Sequence, residues 1–163
     1  MTIHKFELFH AIVLTKIVRS DRPLTLRMIE TRPNEAWSAY TLNDEVDLFI
    51  KHCSNWRAVS RGGDGKSWSF VFSVGQIKQM AFSKTRKLVF VALVGGGRNI
   101  NDDMQVCLLE PDELDDLIDL NSDTSQALTV KYIPRKKLMV IKDRKERLKV
   151  SQNRLDQWDI PGS

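Results

Sequence analysis

The chain predicts an α/β or α+β domain, a central mixed sheet flanked by helices. Three observations carry this: a helical apolar period near the N-terminus, several short segments with strand alternation, and one almost wholly apolar run, KLVFVALV, at residues 87–94. A length of 163 residues suits a single domain, enough to bury about 70 % of the unfolded surface around one core. Hydrophobic residues at 42 % and charged residues at 28 % are ordinary globular values and exclude a disordered chain.

Phe6, Phe9, His10, Val13 and Ile17 recur at helical spacing, with Glu7, Thr15, Lys16 and Arg19 mostly elsewhere, so residues 4–20 read as an amphipathic helix. Asp21-Arg22-Pro23 stops it. Residues 24–54 then read as a three-stranded meander. LTLRMIE alternates as a strand does, TRPNEA supplies a turn, and WSAYTL and VDLFIKHC are separated only by Asn43-Asp44-Glu45.

SRGGDGKS reads as a flexible loop, SWSFVFS as a half-buried strand and VGQIKQMAF as a short helix. Residues 87–94 have the composition of a strand covered on both faces in mid-sheet, ended by Gly95-Gly96-Gly97. MQVCLLE is a further strand. Pro111 opens a helix because its missing N–H costs nothing at the first helical position, and Asp112 and Glu113 meet the positive end of the dipole. These core strands and helices occupy residues 67–133. LTVKYI and KKLMVIK pair across Pro134-Arg135 in a basic C-terminal hairpin at 131–150, and RLDQW closes the chain as a short helix. No repeat, linker or low-complexity segment divides the chain.

The N-terminus lacks the apolar stretch of a signal peptide, and no run approaches the roughly 18 apolar residues of a membrane span. A cytoplasmic protein with no membrane association is expected. Cys53 and Cys107 stand isolated in apolar segments, as reduced core thiols do. The net charge of +4 conceals segregation: nine acids and no base between Asp102 and Asp123, then ten bases against two acids between Lys131 and Arg154. Like charges this dense repel one another, so the basic stretch calls for counter-charge, either nucleic acid or the chain's own acidic segment.

Most motif-like features have a plain structural reading. Gly62-Gly63-Asp64-Gly65-Lys66-Ser67 resembles the end of a phosphate-binding loop, but Ser60 stands where the first glycine is needed and a strand follows instead of a helix. Gly95-Gly96-Gly97-Arg98 lacks GxGxxG spacing and reads as a turn. His4 and His10 fall six residues apart, on different helix faces, unlike the i, i+4 pair of a zinc helix. There is no GxSxG and no CxxC. The acidic run EPDELDDLIDL lacks the alternation and central glycine of a calcium loop, while Leu114, Leu117 and Ile118 recur at helical spacing, so residues 112–120 read as a solvated helix face.

One constellation carries more content. A helix bearing Glu7, three meandering strands of which the third ends in VDLFIKHCS, then a strand, a helix and an apolar central strand resembles the PD-(D/E)xK restriction-endonuclease-like superfamily. The resemblance extends into VFVALVGGG, MQVCLLEPDELDDL and LTVKY. It implies Mg²⁺-dependent phosphodiester hydrolysis. Lys51 takes the lysine position as electrostatic activator, Asp44 or Asp47 is the first metal acid, and Glu7 is a helix-borne ligand, so that metal-bound water attacks the phosphorus. Phe49 occupies the place of the second carboxylate, two before Lys51, unless Asp47 replaces it from the same strand face. The implied site is therefore degenerate.

The second clue is the basic stretch. Arg135, Lys136, Lys137, Lys142, Arg144, Lys145, Arg147 and Lys149 are expected to contact phosphates, with Trp56, Tyr132 and Trp158 as candidates for stacking on bases. The plain alternative is a lysine-rich edge that discourages aggregation. The expectation is thus a nucleic-acid-associated protein, DNA or RNA, with no certain cofactor. Its rival is a non-enzymatic regulatory subunit that docks a protein partner through the acidic helix at 112–120. A homodimer is compatible with either.

Overall fold

Helix α1 (Lys5–Val18) opens the chain in a computed structural model that describes residues 1–19, 23–99 and 101–162. Glu7 caps the start of α1, the carboxylate accepting the His4 N–H at 2.7 Å while the Glu7 N–H donates to His4 O at 3.0 Å. The expected end of this helix at Ser20 and the Asp21-Arg22 stop lie outside the described residues.

Strands β1 (Leu26–Arg32), β2 (Trp37–Leu42) and β3 (Val46–Cys53) then form an antiparallel meander. The β2–β3 connection turns at Asn43 and Asp44, both at positive φ, a conformation that Asn and Asp tolerate and that matches strand twist. After β4 (Trp56–Ala58), β5 (Lys66–Phe72) and helix α2 (Val74–Lys84), strand β6 (Leu88–Gly95) returns parallel to β3. Ser73 and Gln76 cap α2 reciprocally. The chain continues through β7 (Gln105–Leu109), α3 (Pro111–Leu117), β8 (Gln126–Tyr132), β9 (Leu138–Lys142) and β10 (Lys145–Val150).

Two five-stranded sheets result where the sequence predicts one. The first is mixed, in the order β1-β2-β3-β6-β7, and has the expected parallel pair at its centre. The second is antiparallel, in the order β10-β9-β8-β5-β4. Its separation follows from side-chain alternation in β5. Trp68, Phe70 and Phe72 are buried while Ser69 and Val71 are exposed, so this strand needs one covered face, not two.

Two apolar clusters fix the layers. Phe9, Val13 and Ile17 of α1 pack with Leu155 and Ile160 on Tyr40, Leu48, Ile50 and Ala92 of the mixed sheet. On its opposite face Trp37, Phe49, Val91 and Leu109 meet Phe70, Leu128 and Val140 of the second sheet, with Ile77 and Met80 of α2 and Leu114 and Leu117 of α3. Fully burying an aromatic or aliphatic side chain contributes about 1.5–3 kcal/mol, so this second, larger cluster joins the two sheets into one body. Among the described residues, no buried side-chain polar atom lacks a partner, and no helix is long and apolar enough to cross a membrane.

Three expectations need correction. The acidic helix ends at Leu117, because Ile118 takes an extended conformation and turns inward to the core. RLDQW forms turns instead of a helix. Strands β4 and β10 were not expected as separate strands, and β10 completes the edge of the second sheet. The edges of the mixed sheet also differ. On β7 the Arg154 guanidinium donates to Leu108 O at 3.1 Å, whereas β1 carries a bulge between Met28 and Glu30 and exposes Leu26, Met28 and Ile29.

Candidate nucleic-acid interface

The structure does not bring Glu7, Asp47 and Lys51 together. Glu7 is exposed in the first turn of α1, spent on the helix cap. That helix packs against one face of the mixed sheet, while Asp47 and Lys51 point from β3 to the other face, alongside Phe49. Asp47 and Lys51 lie four steps apart along the strand, about 13 Å at ~3.3 Å per residue.

Both side chains are buried, at 6 % and 7 % exposure, where a half-exposed strand was expected, because α2 and the second sheet cover that face. Asp47 accepts from Thr41 Oγ1 at 2.7 Å. Lys51 donates to Gln76 Oε1 at 3.0 Å and to Glu35 O at 3.3 Å, between the rings of Trp37 and Phe72. Burial pushes the Lys51 ammonium down to about 8, against a smaller opposing pull from Glu35. Asp44, the other proposed metal acid, sits exposed at the tip of the β2–β3 turn. No group of three or more His, Cys, Asp or Glu among the described residues is placed to hold a metal ion.

The basic stretch divides into two populations. Lys142 turns back onto the acidic segment, donating to Leu117 O at the end of α3 and to Gln126 Oε1, and Arg154 pairs with Glu113. Lys149 lies 3.7 Å from Glu146 on its own strand. Arg135, Lys136, Lys137, Arg144, Lys145 and Arg147 are exposed, and among the described residues none of these six has an ion pair. They form a rim. The β9–β10 turn carries Arg144 at positive φ, the edge strand β10 carries Lys145 and Arg147, and Leu138 pairs with Val150 where the β8–β9 turn brings Arg135, Lys136 and Lys137 alongside.

Near the end of that rim, at the mouth between the sheets, lie two adjoining clefts that share Trp56. One, of about 400 Å³, is bounded by Trp56, Lys66, Trp68, Tyr132 and Pro134 with the glycine loop. The other, of about 430 Å³, is bounded by Ser54, Asn55, Trp56, Arg98, Asn99 and Asp102. It lies just beyond Cys53 and Gly95, the carboxyl ends of the parallel strands β3 and β6, where open α/β sheets generally leave a ligand crevice.

Glycine is required where β6 ends. A Cβ on Gly95 would overlap the indole of Trp68, and one on Gly96 the ring of Phe9. Trp68 Nε1 donates to Gly96 O at 2.8 Å and Gly96 N to Cys53 O at 2.9 Å, so this glycine run is fixed to its surroundings. Trp56 is 42 % exposed, with the Lys66 ammonium 4.9 Å over its ring. Tyr132 is half-buried as a cleft wall, and Trp158 packs on Phe90 at 4.7 Å between ring centres, which takes it out of the stacking candidates.

A polar relay under α1 went unread in the sequence. Ser38 Oγ shares a hydrogen bond with His10 Nδ1, and His10 Nε2 lies 3.3 Å from His52 Nδ1, while His52 stacks on Phe9. Burial is the first cause that holds both imidazoles down at about 4, with mutual repulsion added at His10 and Lys51 added at His52. Ser38 is fully buried, so the relay ties α1 to the sheet and presents no nucleophile to solvent. Its members lie 28 and 42 residues apart, and no local motif marks them.

No family model, curated protein or solved structure matches this chain.

Proposed function

We propose that the chain binds nucleic acid through its phosphate backbone, along the rim formed by Arg135, Lys136, Lys137, Arg144, Lys145 and Arg147. The observation that carries this is the division within the basic stretch. Arg154 and Lys149 are paired with Glu113 and Glu146, Lys142 is spent on the neutral acceptors Leu117 O and Gln126 Oε1, and six exposed cations remain with no ion pair among the described residues. The two turns lie at opposite ends of β9, roughly 15 Å apart, a span that several consecutive phosphates cover. The reading includes no phosphodiester cleavage, because Glu7, Asp47 and Lys51 share no reacting centre.

The test is fluorescence anisotropy of labelled duplex DNA, single-stranded DNA and RNA at two salt concentrations, with Mg²⁺ present and the probe examined for cleavage. Six phosphate contacts give a log–log salt slope of about −5 on duplex and about −4 on a single strand. Reversing Arg135, Lys136 and Lys137 to Glu lowers that slope by about half. Absence of binding at low salt leaves the rim as edge protection. The acidic helix has less free charge to offer a partner, since Glu113 and Asp115 already pair with Arg154 and Lys84.

A further inference from the structure

We infer that the cleft beside Trp56 holds one unpaired, amine-bearing base, so that the ligand is single-stranded and cytosine, adenine or guanine is favoured over thymine or uracil. The inference deepens the backbone-binding reading and rests on it for the polymer, though not for the base. Three features converge. The cleft occupies the carboxyl ends of the parallel strands, its volume lies in the range of small-molecule sites, and its shared wall is an exposed indole. With the Lys66 ammonium over one face of that ring, the opposite face is the one a planar ligand can cover.

The polar lining selects what enters. Asn55 and Asn99 offer amide donors and acceptors, and Arg98 offers a guanidinium on a loop tethered by Lys5 Nζ to Arg98 O at 3.0 Å. Asp102 accepts the Asn99 N–H through one oxygen, at 3.1 Å, and its other oxygen has no partner among the described residues. The neighbouring cleft adds Asp64 and Asp103. Asp102 accepts from an exocyclic amine, and with Arg98 in the same lining the cleft carries no net charge, so a neutral base suits it and the phosphates lie outside it, toward the more strongly cationic rim. Duplex DNA presents no exposed base face to Trp56, and only an unpaired or extruded base can stack there.

The experiment compares dC12, dT12 and a hairpin duplex by anisotropy on the full chain, with Trp56→Ala, Trp56→Phe and Asp102→Asn variants whose folding is verified by circular dichroism. The expected result is tighter binding of dC12 than of dT12. Trp56→Ala weakens dC12 about tenfold and leaves the duplex unchanged, and Trp56→Phe restores most of the loss. Asp102→Asn keeps the acceptor for Asn99 N–H but presents an amide donor to the base, and it abolishes or inverts the preference for dC12. Equal affinity for dC12 and dT12, with no effect of Trp56→Ala, overturns the base site while leaving the rim intact. If no oligonucleotide binds, the rim reading fails, and the cleft is judged by CMP alone. Quenching of tryptophan fluorescence that disappears in Trp56→Ala keeps it, and no quenching removes it.

Discussion

The two sheets use similar strand chemistry to opposite ends. In the mixed sheet β2 is buried along its whole length and β3 and β6 along most of theirs, and even Asp47, Lys51 and Ser38 are enclosed with partners. In the antiparallel sheet one face carries Trp68, Phe70 and Leu128 into the core, while Ser69, Val71 and Ala127 face solvent and β10 lines the edge with cations. The first is a scaffold at its centre, exposed along its edge strand β1; the second is half scaffold and half surface. The lesson is that the buried ionisable groups here are tied to partners inside the fold, and the cations of the second sheet's edge stand in solvent.

Four measurements sharpen or break that contrast. The largest effect belongs to Phe49→Ala, which cavitates the interface between the sheets and costs about 3–5 kcal/mol in urea unfolding, against less than about 1 for Val71→Ala. Equal losses would erase the distinction between the sheets. Next comes Lys51→Met. Replacing a buried charge with an apolar chain of similar length stabilises by about 1 kcal/mol, since Gln76 Oε1 keeps Ser73 N–H as a donor. Its pH signature is distinct. The unfolded chain holds the Lys51 proton up to 10.5 and the folded chain only to about 8, so stability rises between those values in the parent and stays flatter in Lys51→Met.

The third effect lies at acid pH. His10 and His52 are held neutral down to about 4, whereas in the unfolded chain they take up protons below 6.5. Stability contributed by the Ser38–His10–His52 relay is complete above 6.5 and declines as pH falls toward 4. Denaturant midpoints at pH 7 and pH 5, with imidazole titration by NMR, measure it. A midpoint unchanged at pH 5 contradicts the assignment. The smallest effect is Arg144→Gly, which relieves a left-handed residue in the β9–β10 turn at some cost in unfolded-chain entropy, a net gain of about 0.5 kcal/mol. The same change removes one rim charge, so the salt slope falls by about one unit while stability rises.

Local periodicity made the strands and helices legible, and long-range burial was not. KLVFVALV announced a central strand because both faces are apolar, and Trp68-Ser69-Phe70 announced a one-sided strand. Nothing in VDLFIKHC shows that Asp47 and Lys51 lie under a second sheet, because the covering residues come from positions 66–84 and 126–150. Strand β10 hid behind its charge, since only Leu148 and Val150 turn inward and the register shifts between Glu146 and Leu148. The basic stretch was visible as composition, but which cations meet acids and which face solvent was not, because the Arg154 partner Glu113 lies 41 residues away. Trp56 was named as a stacking candidate from its loop position, whereas the residues around it converge only in three dimensions.

The edges of the mixed sheet are unequal in a way that bears on strand addition. A bulge between Met28 and Glu30 breaks the register of β1, while at β7 the guanidinium of Arg154 already occupies Leu108 O. In the language of polymer chemistry the two ends differ in reactivity: a strand arriving at β7 must first displace a guanidinium, and one arriving at β1 must accommodate an irregular ladder.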